Sequence, residues 1–182
     1  MRTFHVLKAF LGDKKVATPF PSSRFTVNKL LGCIDTTKLK TVVEYGPGDG
    51  VVTKQILKSL PKDAVFLAIE QNPNFVKMLQ EIKDPRLHVI QGDACSVKQY
   101  LAQLKLKEAD LVLASIPFVQ IPEGPRKTIL EDTHAILSAS GMFLVYQHIP
   151  LIYTSLKKLF PVTKVKFSTL NFPPYFIFQA MK

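Results

Sequence analysis

The sequence predicts a doubly wound α/β fold whose sheet is mostly parallel and carries an antiparallel strand near one edge. Short apolar runs alternate with segments of helical spacing between residues 41 and 148. The first run is followed by a glycine-rich turn, which is typical of ligand-binding turns at the carboxyl end of a parallel strand. Two more apolar runs, at 162–169 and 175–181, follow the last predicted helix and indicate a closing strand pair.

The predicted elements follow one another in a regular order. Strands of the parallel part are expected at 41–43, 64–69, 87–91, 109–114 and 142–146. Helices are expected at 51–57, 72–83, 97–104, 125–137 and 151–160. Pro73 and Pro125 lie in the first turn of two of these helices, where proline is tolerated. Ser140 and Gly141 are expected to separate the fourth helix from the strand that follows it.

Length and composition favour a single domain. The chain has 182 residues, of which 47% are hydrophobic, enough for one substantial core and too many for a disordered chain. No apolar stretch reaches the roughly 20 residues needed to cross a bilayer, and the charge-interrupted N-terminus does not fit a cleaved signal peptide. Cys33 and Cys95 form no motif, so we expect two unpaired thiols in a reducing cytoplasm.

The net charge of +10 is concentrated at the two ends of the chain. Residues 1–40 carry eight Lys or Arg and two acids, and residues 151–182 carry five Lys and no acid. The middle of the chain is nearly neutral. This distribution indicates a polyanionic partner, either nucleic acid or an anionic lipid surface. A solvated basic surface that only aids solubility is the alternative.

The most informative stretch runs from Glu44 to Gly50, between the first predicted strand and helix. Its glycines follow the pattern G-x-G-x-G with an acid two residues before the first glycine, whereas a dinucleotide site reads G-x-G-x-x-G. A pyrophosphate favours several free N–H groups and no carboxylate nearby. Glu44 therefore favours a cationic ligand, such as the amino group of S-adenosylmethionine.

Two further acids follow at the ends of the next two strands. Glu70 comes 20 residues after Gly50, where an acid can accept hydrogen bonds from both ribose hydroxyls of an adenosine. Asp93 follows the third strand and is positioned to accept a hydrogen bond from the adenine amino group. The fourth strand ends in Ser115-Ile116-Pro117-Phe118.

With these motifs in this order, residues 41–148 resemble the class I S-adenosylmethionine-dependent methyltransferases, which have a seven-stranded Rossmann-like sheet. The resemblance implies one methyltransferase domain over 1–182, with an N-terminal segment at 1–24, a cofactor-binding core at 41–148, and a C-terminal helix and strand pair at 149–182. It also implies that S-adenosyl-L-methionine is the cofactor. The implied cofactor-binding residues are Glu44, Tyr45, Gly46, Gly48, Gly50, Glu70, Gln71, Asp93, Ala94 and Ser115.

The N-terminal 24 residues combine an apolar stripe with basic side chains. The residues concerned are Phe4, Leu7, Phe10 and Leu11, with Arg2, Lys8, Lys14 and Lys15 nearby. A helix of this kind can lie in a membrane interface, with its basic groups near anionic headgroups. An ordinary amphipathic helix that covers the cofactor pocket explains the same pattern, and both alternatives stay open.

A second and narrower resemblance covers nearly the whole chain. Its motifs are Pro21-Ser22-Ser23-Arg24, the Glu44–Gly50 loop, Ser115-Ile116-Pro117 with Pro122, and Asn171-Phe172-Pro173-Pro174. Together they look like the bacterial phospholipid N-methyltransferases, which methylate phosphatidylethanolamine toward phosphatidylcholine. The resemblance implies a phospholipid substrate, anionic membrane lipids as partners, and a cytoplasmic enzyme held on the inner face of the membrane through its N-terminal helix. The implied substrate-binding residues are Ser22, Ser23, Arg24 and Phe118.

The same Pro-Ser start and glycine loop are similar to the ribosomal RNA adenine N6-dimethyltransferases, so RNA stays open as the alternative substrate. In that family an Asn after the fourth strand holds the target amine, and an aromatic residue stacks on the flipped base. Ser115 stands at the Asn position and lacks the amide carbonyl, although Phe118 could still stack. We also expect no room for that family's extra RNA-binding domain. Both points favour a lipid amine, and a module that binds cofactor without catalysis is a third alternative.

Methyl transfer to an amine needs alignment of the reacting atoms and an unprotonated nitrogen. The backbone carbonyls of Ser115 and Ile116 could orient the amine, and Pro117 stiffens that turn. Tyr146 and His148, after the fifth strand, could accept the proton, although a packing role also explains His148. The rings of Tyr45 and Phe118 are expected to be pocket walls or faces that bind a cation. The other histidines lack metal-ligand spacing, and no metal is expected.

Overall fold

The computed structural model describes residues 24–168 and 174–182. Its α-helices are α1 (Arg24–Leu31), α2 (Val51–Leu57), α3 (Pro73–Gln80), α4 (Val97–Gln103), α5 (Glu123–Ile136) and α6 (Tyr153–Leu159). Its strands are β1 (Thr41–Tyr45), β2 (Val65–Glu70), β3 (Leu87–Gln91), β4 (Ala109–Ala114), β5 (Leu137–Gln147), β6 (Val162–Ser168) and β7 (Tyr175–Met181). The predicted amphipathic segment and the Pro21–Ser23 turn lie outside the described residues.

The seven strands form one sheet in the order β3-β2-β1-β4-β5-β7-β6. Strands β1 to β5 pair with their neighbours in parallel, whereas β7 runs antiparallel to both β5 and β6. The antiparallel strand therefore lies second from one edge. The predicted fold, a doubly wound and mostly parallel α/β sheet, is confirmed.

Helices cover both faces of this sheet, which explains why its central strands are apolar runs rather than alternating patterns. Helices α1 and α2 contribute Val27, Leu30 and Ile56 to a core on one face. Helices α4, α5 and α6 contribute Leu101, Ile129 and Leu156 to a core on the other face. None of the described helices is long and apolar enough to cross a membrane.

The parallel topology gathers the functional loops at one edge. The carboxyl ends of β1 to β5 all point to that edge, called here the carboxyl edge, because parallel strands share one direction. Strand β6 also ends there, since it runs opposite to β7. Ligands of doubly wound sheets bind outside the carboxyl ends of the strands. The carboxyl edge is thus where a site is expected.

Several elements differ from their predicted boundaries, among them β5 and α6. Strand β5 begins at Leu137, directly after α5, rather than at residue 142. Gly141 is not a turn: a Cβ on it would lie 3.0 Å from the backbone oxygen of Ala109, so the glycine allows β4 to approach closely where the strand register shifts. Helix α6 begins at Tyr153, after a 3₁₀ turn at Pro150–Ile152.

Candidate functional site

Three glycines shape the loop after β1. Gly46, Gly48 and Gly50 have φ angles of +66°, +56° and +73°, which L side chains rarely adopt. Gly46 also lies close to the loop after β4, because a Cβ on it would come within 2.8 Å of Ile116 Cγ2. The sequence thus brings bare backbone to the carboxyl edge at the centre of the sheet.

Glu44 lies beneath this loop and is fully buried. Its Oε2 accepts a hydrogen bond of 2.5 Å from Thr53 Oγ1 on α2. Its Oε1 is buried as well and has no hydrogen-bond partner among the described residues. The pKa of Glu44 is raised to about 8, mainly by burial and in smaller part by the nearby acids Glu70 and Asp49, while the Thr53 hydroxyl acts in the opposite direction. Such a carboxyl group is suited to a cationic partner.

Glu70 ends β2 and links two loops. Its Oε2 accepts from the backbone N–H of Gly48 at 3.1 Å, and its Oε1 accepts from the backbone N–H of Asn72 at 2.9 Å. Asn72 in turn caps α3 by accepting from the N–H of Asn74. The carboxylate is therefore held in a fixed direction between the loops after β1 and β2.

Asp93 lies two residues after the end of β3. Its Oδ1 accepts from the backbone N–H of Cys95 at 2.8 Å and so caps a 3₁₀ turn at Ala94–Ser96. Its Oδ2 accepts from the side-chain amide of Gln71. The side chains of Gln71 and Asp93 are exposed, and Ala94 is buried beside them. The three predicted residues Gln71, Asp93 and Ala94 thus lie together.

Ser115 joins the loop after β4 to the glycine loop. Its backbone N–H donates to the carbonyl of Tyr45 at 3.1 Å, and its hydroxyl donates to the carbonyl of Gly46. The carbonyl of Ile116 accepts from the N–H of Phe118 at 3.0 Å, in the turn that contains Pro117. The Ser115 hydroxyl is therefore directed at the protein's own backbone.

Two predicted pocket residues have their side chains in the core instead. The Tyr45 ring is fully buried on the face covered by α5, where its hydroxyl lies 3.1 Å from Thr133 Oγ1 and burial raises its pKa. Phe118 is fully buried and packs edge-to-face on Phe143, with ring centroids 6.5 Å apart. Both rings pack in the apolar core and neither is exposed at the carboxyl edge, so these side-chain positions do not support the predictions that Phe118 stacks on a substrate and that Tyr45 lines the pocket.

His148 and Tyr146 lie at the end of β5. Tyr146 is largely buried and packs against Tyr175, with ring centroids 5.9 Å apart. His148 Nδ1 lies 2.9 Å from the carbonyl of Pro174, and its ring lies 3.9 Å from that of Tyr175. Because a carbonyl only accepts, Nδ1 must carry the proton, which makes Nε2 the acceptor of the neutral ring. His148 is thus partly a packing residue and is also prepared to receive a proton.

The remaining predicted substrate-binding residues are Ser22, Ser23 and Arg24. Ser22 and Ser23 lie outside the described residues, and Arg24 is described only as the first residue of α1. The sequence analysis missed Thr53, although a polar residue on the buried face of α2 was a signal for it. Within residues 24–168 and 174–182, no three His, Cys, Asp or Glu are grouped as metal ligands.

Comparison with known proteins identifies the family. Residues 10–150, well over half of the chain, match the family model described as ribosomal RNA adenine dimethylase. The chain belongs to this family.

Relatives of this adenine dimethylase family member differ in substrate. An ornithine lipid N-methyltransferase from Singulisphaera acidiphila is 26% identical over 170 residues, which cover 92% of this chain and 88% of that protein. A ribosomal RNA small subunit methyltransferase A from Chlorobium phaeobacteroides is 30% identical over 135 residues, which cover 74% of this chain and 46% of that protein. The solved structure of the N-methyltransferase NodS from Bradyrhizobium japonicum has the same fold, with a TM-score of 0.71 at 11% identity, covering 87% of this chain and 95% of that one.

This member of the adenine dimethylase family is a class I S-adenosylmethionine-dependent methyltransferase, and S-adenosyl-L-methionine is its cofactor. The residues at the carboxyl edge fit that molecule. A buried carboxylate oxygen without a partner, on Glu44, is suited to an amino group, and the positive-φ glycines leave backbone uncovered where side chains would intrude. We expect Glu44 to hold the amino group, Glu70 the ribose hydroxyls and Asp93 the adenine.

Glu70→Ala is expected to weaken binding of S-adenosylhomocysteine by about 1–3 kcal/mol, because ribose hydroxyls then lose their acceptor. Calorimetry with S-adenosylhomocysteine and with methylthioadenosine measures this, since both ligands contain the ribose. The matched control is Glu81→Ala at an exposed position after α3. Unchanged affinity for both ligands in Glu70→Ala would rule out the ribose assignment.

Proposed function

We propose that this methyltransferase acts on the amine of a phospholipid headgroup, converting phosphatidylethanolamine toward phosphatidylcholine at a membrane surface. The observation that carries the proposal is the segment after β4. Ser115 offers no amide and directs its hydroxyl to Gly46, while the ring of Phe118 is buried on Phe143. An adenine would find there neither the side-chain carbonyl nor the stacking ring that recognise a flipped base.

The relatives support the same choice. The similarity to the ornithine lipid N-methyltransferase covers 92% of this chain, against 74% for the ribosomal RNA relative. The similarity to the ornithine lipid N-methyltransferase therefore extends past residue 150, where the match to the family model ends. Phosphatidylethanolamine and ornithine lipid both present a primary amine on an apolar anchor. The predicted substrate is therefore a lipid amine, and both headgroups have to be assayed.

The chain's own residues supply alignment and a proton acceptor. The cofactor, when bound, supplies a methyl group already activated by its sulfonium. The amine nitrogen forms the new N–C bond as the C–S bond breaks, and its surplus proton must leave. The hydrogen bond from His148 Nδ1 to the carbonyl of Pro174 leaves Nε2 free to accept a proton. Nε2 would take the proton from the amine either directly or through a water molecule. The backbone turn at Ser115–Pro117 lies beside the glycine loop and is placed to orient the amine.

The deciding experiment offers the enzyme and labelled S-adenosylmethionine three substrates in parallel. These are vesicles containing phosphatidylethanolamine, vesicles containing ornithine lipid, and ribosomal RNA that lacks adenine methylation. Label is expected in a lipid product. Label in RNA alone would overturn the proposal in favour of an adenine N6-methyltransferase.

Ser115→Asn separates the two substrate classes further. Asn adds bulk beside the reacting nitrogen and cannot repeat the short hydroxyl bond to Gly46, so lipid methylation is expected to fall at least about tenfold. If adenine is the true substrate, the restored amide should instead raise RNA methylation. Ser115→Ala is the control, because it removes the hydroxyl without adding an amide. A gain on RNA with no loss on lipid would contradict the lipid assignment.

A further inference from the structure

Large apolar side chains are exposed mainly at the carboxyl edge. Seven such side chains of the described residues are at least 36% exposed, and five of them lie at that edge. We call these five the apolar rim: Val119, Ile149, Leu151, Tyr153 and Phe167. They come from the loops after β4 and β5, from the start of α6 and from the end of β6.

Contacts between neighbouring elements link the residues of the rim to one another. The 3₁₀ turns Phe118–Gln120 and Pro150–Ile152 contact each other, which brings Val119 toward Leu151. A row of rings then crosses the sheet from Tyr153 to Phe167. Successive ring centroids lie 6.0, 6.2 and 5.0 Å apart in the order Tyr153, Phe178, Phe176, Phe167. Phe176 is half-buried and Phe178 is buried, so these two rings pack beneath the surface and connect the exposed side chains of Tyr153 and Phe167.

Lysines border the rim at α6 and β6, while the exposed acid Glu123 follows the rim residue Val119 by four residues. Lys157 and Lys158 are exposed on α6, and Lys157 Nζ lies 5.6 Å from the centroid of the Tyr153 ring. Lys164 and Lys166 are exposed on β6. The sequence contains no Asp or Glu after Asp132, so no acid from this part of the chain offsets these lysines. An apolar surface bordered by lysines is complementary to an anionic bilayer, where long basic side chains reach the headgroups.

We propose that the apolar rim is the surface by which the enzyme docks onto an anionic lipid bilayer, an inference that rests on the proposed lipid substrate. The rim borders the edge at which the methyl group must be delivered, so a docked enzyme meets the headgroup amine without extracting the lipid. Three of the five rim residues are aliphatic, and the sequence has no Arg after Arg126. RNA surfaces depend on stacking rings and guanidinium groups, so this composition favours lipid.

The test compares the full chain with Leu151→Gln/Phe167→Gln in co-sedimentation with vesicles of phosphatidylethanolamine and phosphatidylglycerol. Losing two large apolar side chains from the interface is expected to reduce partitioning at least about tenfold. Val162→Gln is the matched control, because Val162 is also exposed on β6 but lies at the opposite end of that strand. Equal loss in Val162→Gln and in the double variant would overturn the docking surface.

A second pair of variants tests the charge. Lys157→Gln/Lys158→Gln is expected to weaken binding to anionic vesicles about fivefold per lysine and to leave the weak binding to pure phosphatidylcholine vesicles unchanged. Lys54→Gln/Lys58→Gln, at exposed positions in and directly after α2, removes the same charge from another part of the molecule and should bind as the unaltered chain does. Equal weakening by both pairs would mean that net charge, and not this surface, drives binding.

Activity on two forms of one substrate separates this inference from the proposed function. A short-chain phosphatidylethanolamine that is monomeric in water should be methylated equally by the full chain and by Leu151→Gln/Phe167→Gln. The vesicle substrate should be methylated more slowly by the double variant only. No methylation of either form defeats the proposed function, whereas equal rates of both proteins on vesicles defeat the docking surface. Loss of RNA binding by the double variant with unchanged vesicle binding would assign the rim to RNA instead.

Discussion

Glu44→Gln is expected to weaken S-adenosylhomocysteine binding by about 3 kcal/mol or more, roughly a hundredfold, with little change in the shape of the site. Glutamine keeps the size of the side chain but cannot provide the charge that the buried, unpartnered Oε1 offers to an amino group. Methylthioadenosine lacks that amino group and should bind both proteins equally. Calorimetry with the two ligands measures the difference, and Glu108→Gln at an exposed position is the control. Unchanged S-adenosylhomocysteine affinity would remove Glu44 from the cofactor site.

The raised pKa of Glu44 gives this change a pH signature. Its pKa is about 8 in the folded protein, against an ordinary value of 4.5 for a solvated glutamate. Between these values the folded state holds a proton that the unfolded state has released, so this group's contribution to stability falls as pH rises from 4.5 to 8. Thermal unfolding of the ligand-free protein should show that fall, and Glu44→Gln should reduce it.

Ligand binding should show the opposite trend. The carboxylate must be ionised to pair with a cation, so S-adenosylhomocysteine affinity is expected to rise between pH 6 and 7.5 by up to about tenfold per unit. In Glu44→Gln this rise should disappear. A pH-independent affinity of the unaltered protein would contradict an ion pair at Glu44.

Gly46→Ala is expected to have the second large effect. At φ +66° an alanine costs about 1–2 kcal/mol of backbone strain, and its Cβ would lie 2.8 Å from Ile116 Cγ2. The loop after β1 must then move away from the loop after β4, which displaces both the cofactor backbone contacts and the Ser115 turn. S-adenosylhomocysteine affinity and methyl transfer should each fall more than tenfold.

Alanine substitutions at two other glycines distinguish the effect of backbone strain from the effect of the close contact with Ile116. Gly48 has φ +56° but open space around it, so Gly48→Ala carries backbone strain without the contact. Gly124 has open space and a helical position in α5, so Gly124→Ala should retain activity and stability. Equal effects of Gly46→Ala and Gly48→Ala would show that Ile116 moves aside and that only the backbone angle matters.

The strands and the glycine loop were predictable because they depend on local sequence. A parallel strand that is covered on both faces consists mostly of apolar residues, so it can be recognised in the sequence as an apolar run. Strands β3 and β4 have the bounds that were predicted in this way. Glu44, Glu70 and Asp93 were found because each follows or ends such a run. Helix α1 was not predicted; among its residues whose side chains are described, Val27 and Leu30 are buried in the core and Leu31 packs against it.

The contacts that sequence reasoning missed join distant parts of the chain. The Phe118 ring faces the core because it packs on Phe143, which lies on β5. The turn after β4 has no alternation of apolar and polar residues from which the direction of this side chain could be predicted. Thr53 acquires its role only because α2 packs over Glu44. In the same way, Gly141 looks like a stop signal until β4 is seen to pass close to it.

The position of β7 determines when a newly made chain can become active. Strand β7 fills the gap between β5 and β6, yet it leaves the ribosome after both of them. Until it inserts, β6 has no partner within the described sheet and β5 presents an open edge, which exposes the nascent chain to wrong pairing. The carbonyl of Pro174 reaches His148 only when that insertion is complete. Orientation of His148, which we propose as the proton acceptor, therefore waits for the last described strand, and under this proposal an incomplete chain that already binds cofactor would still be a poor catalyst.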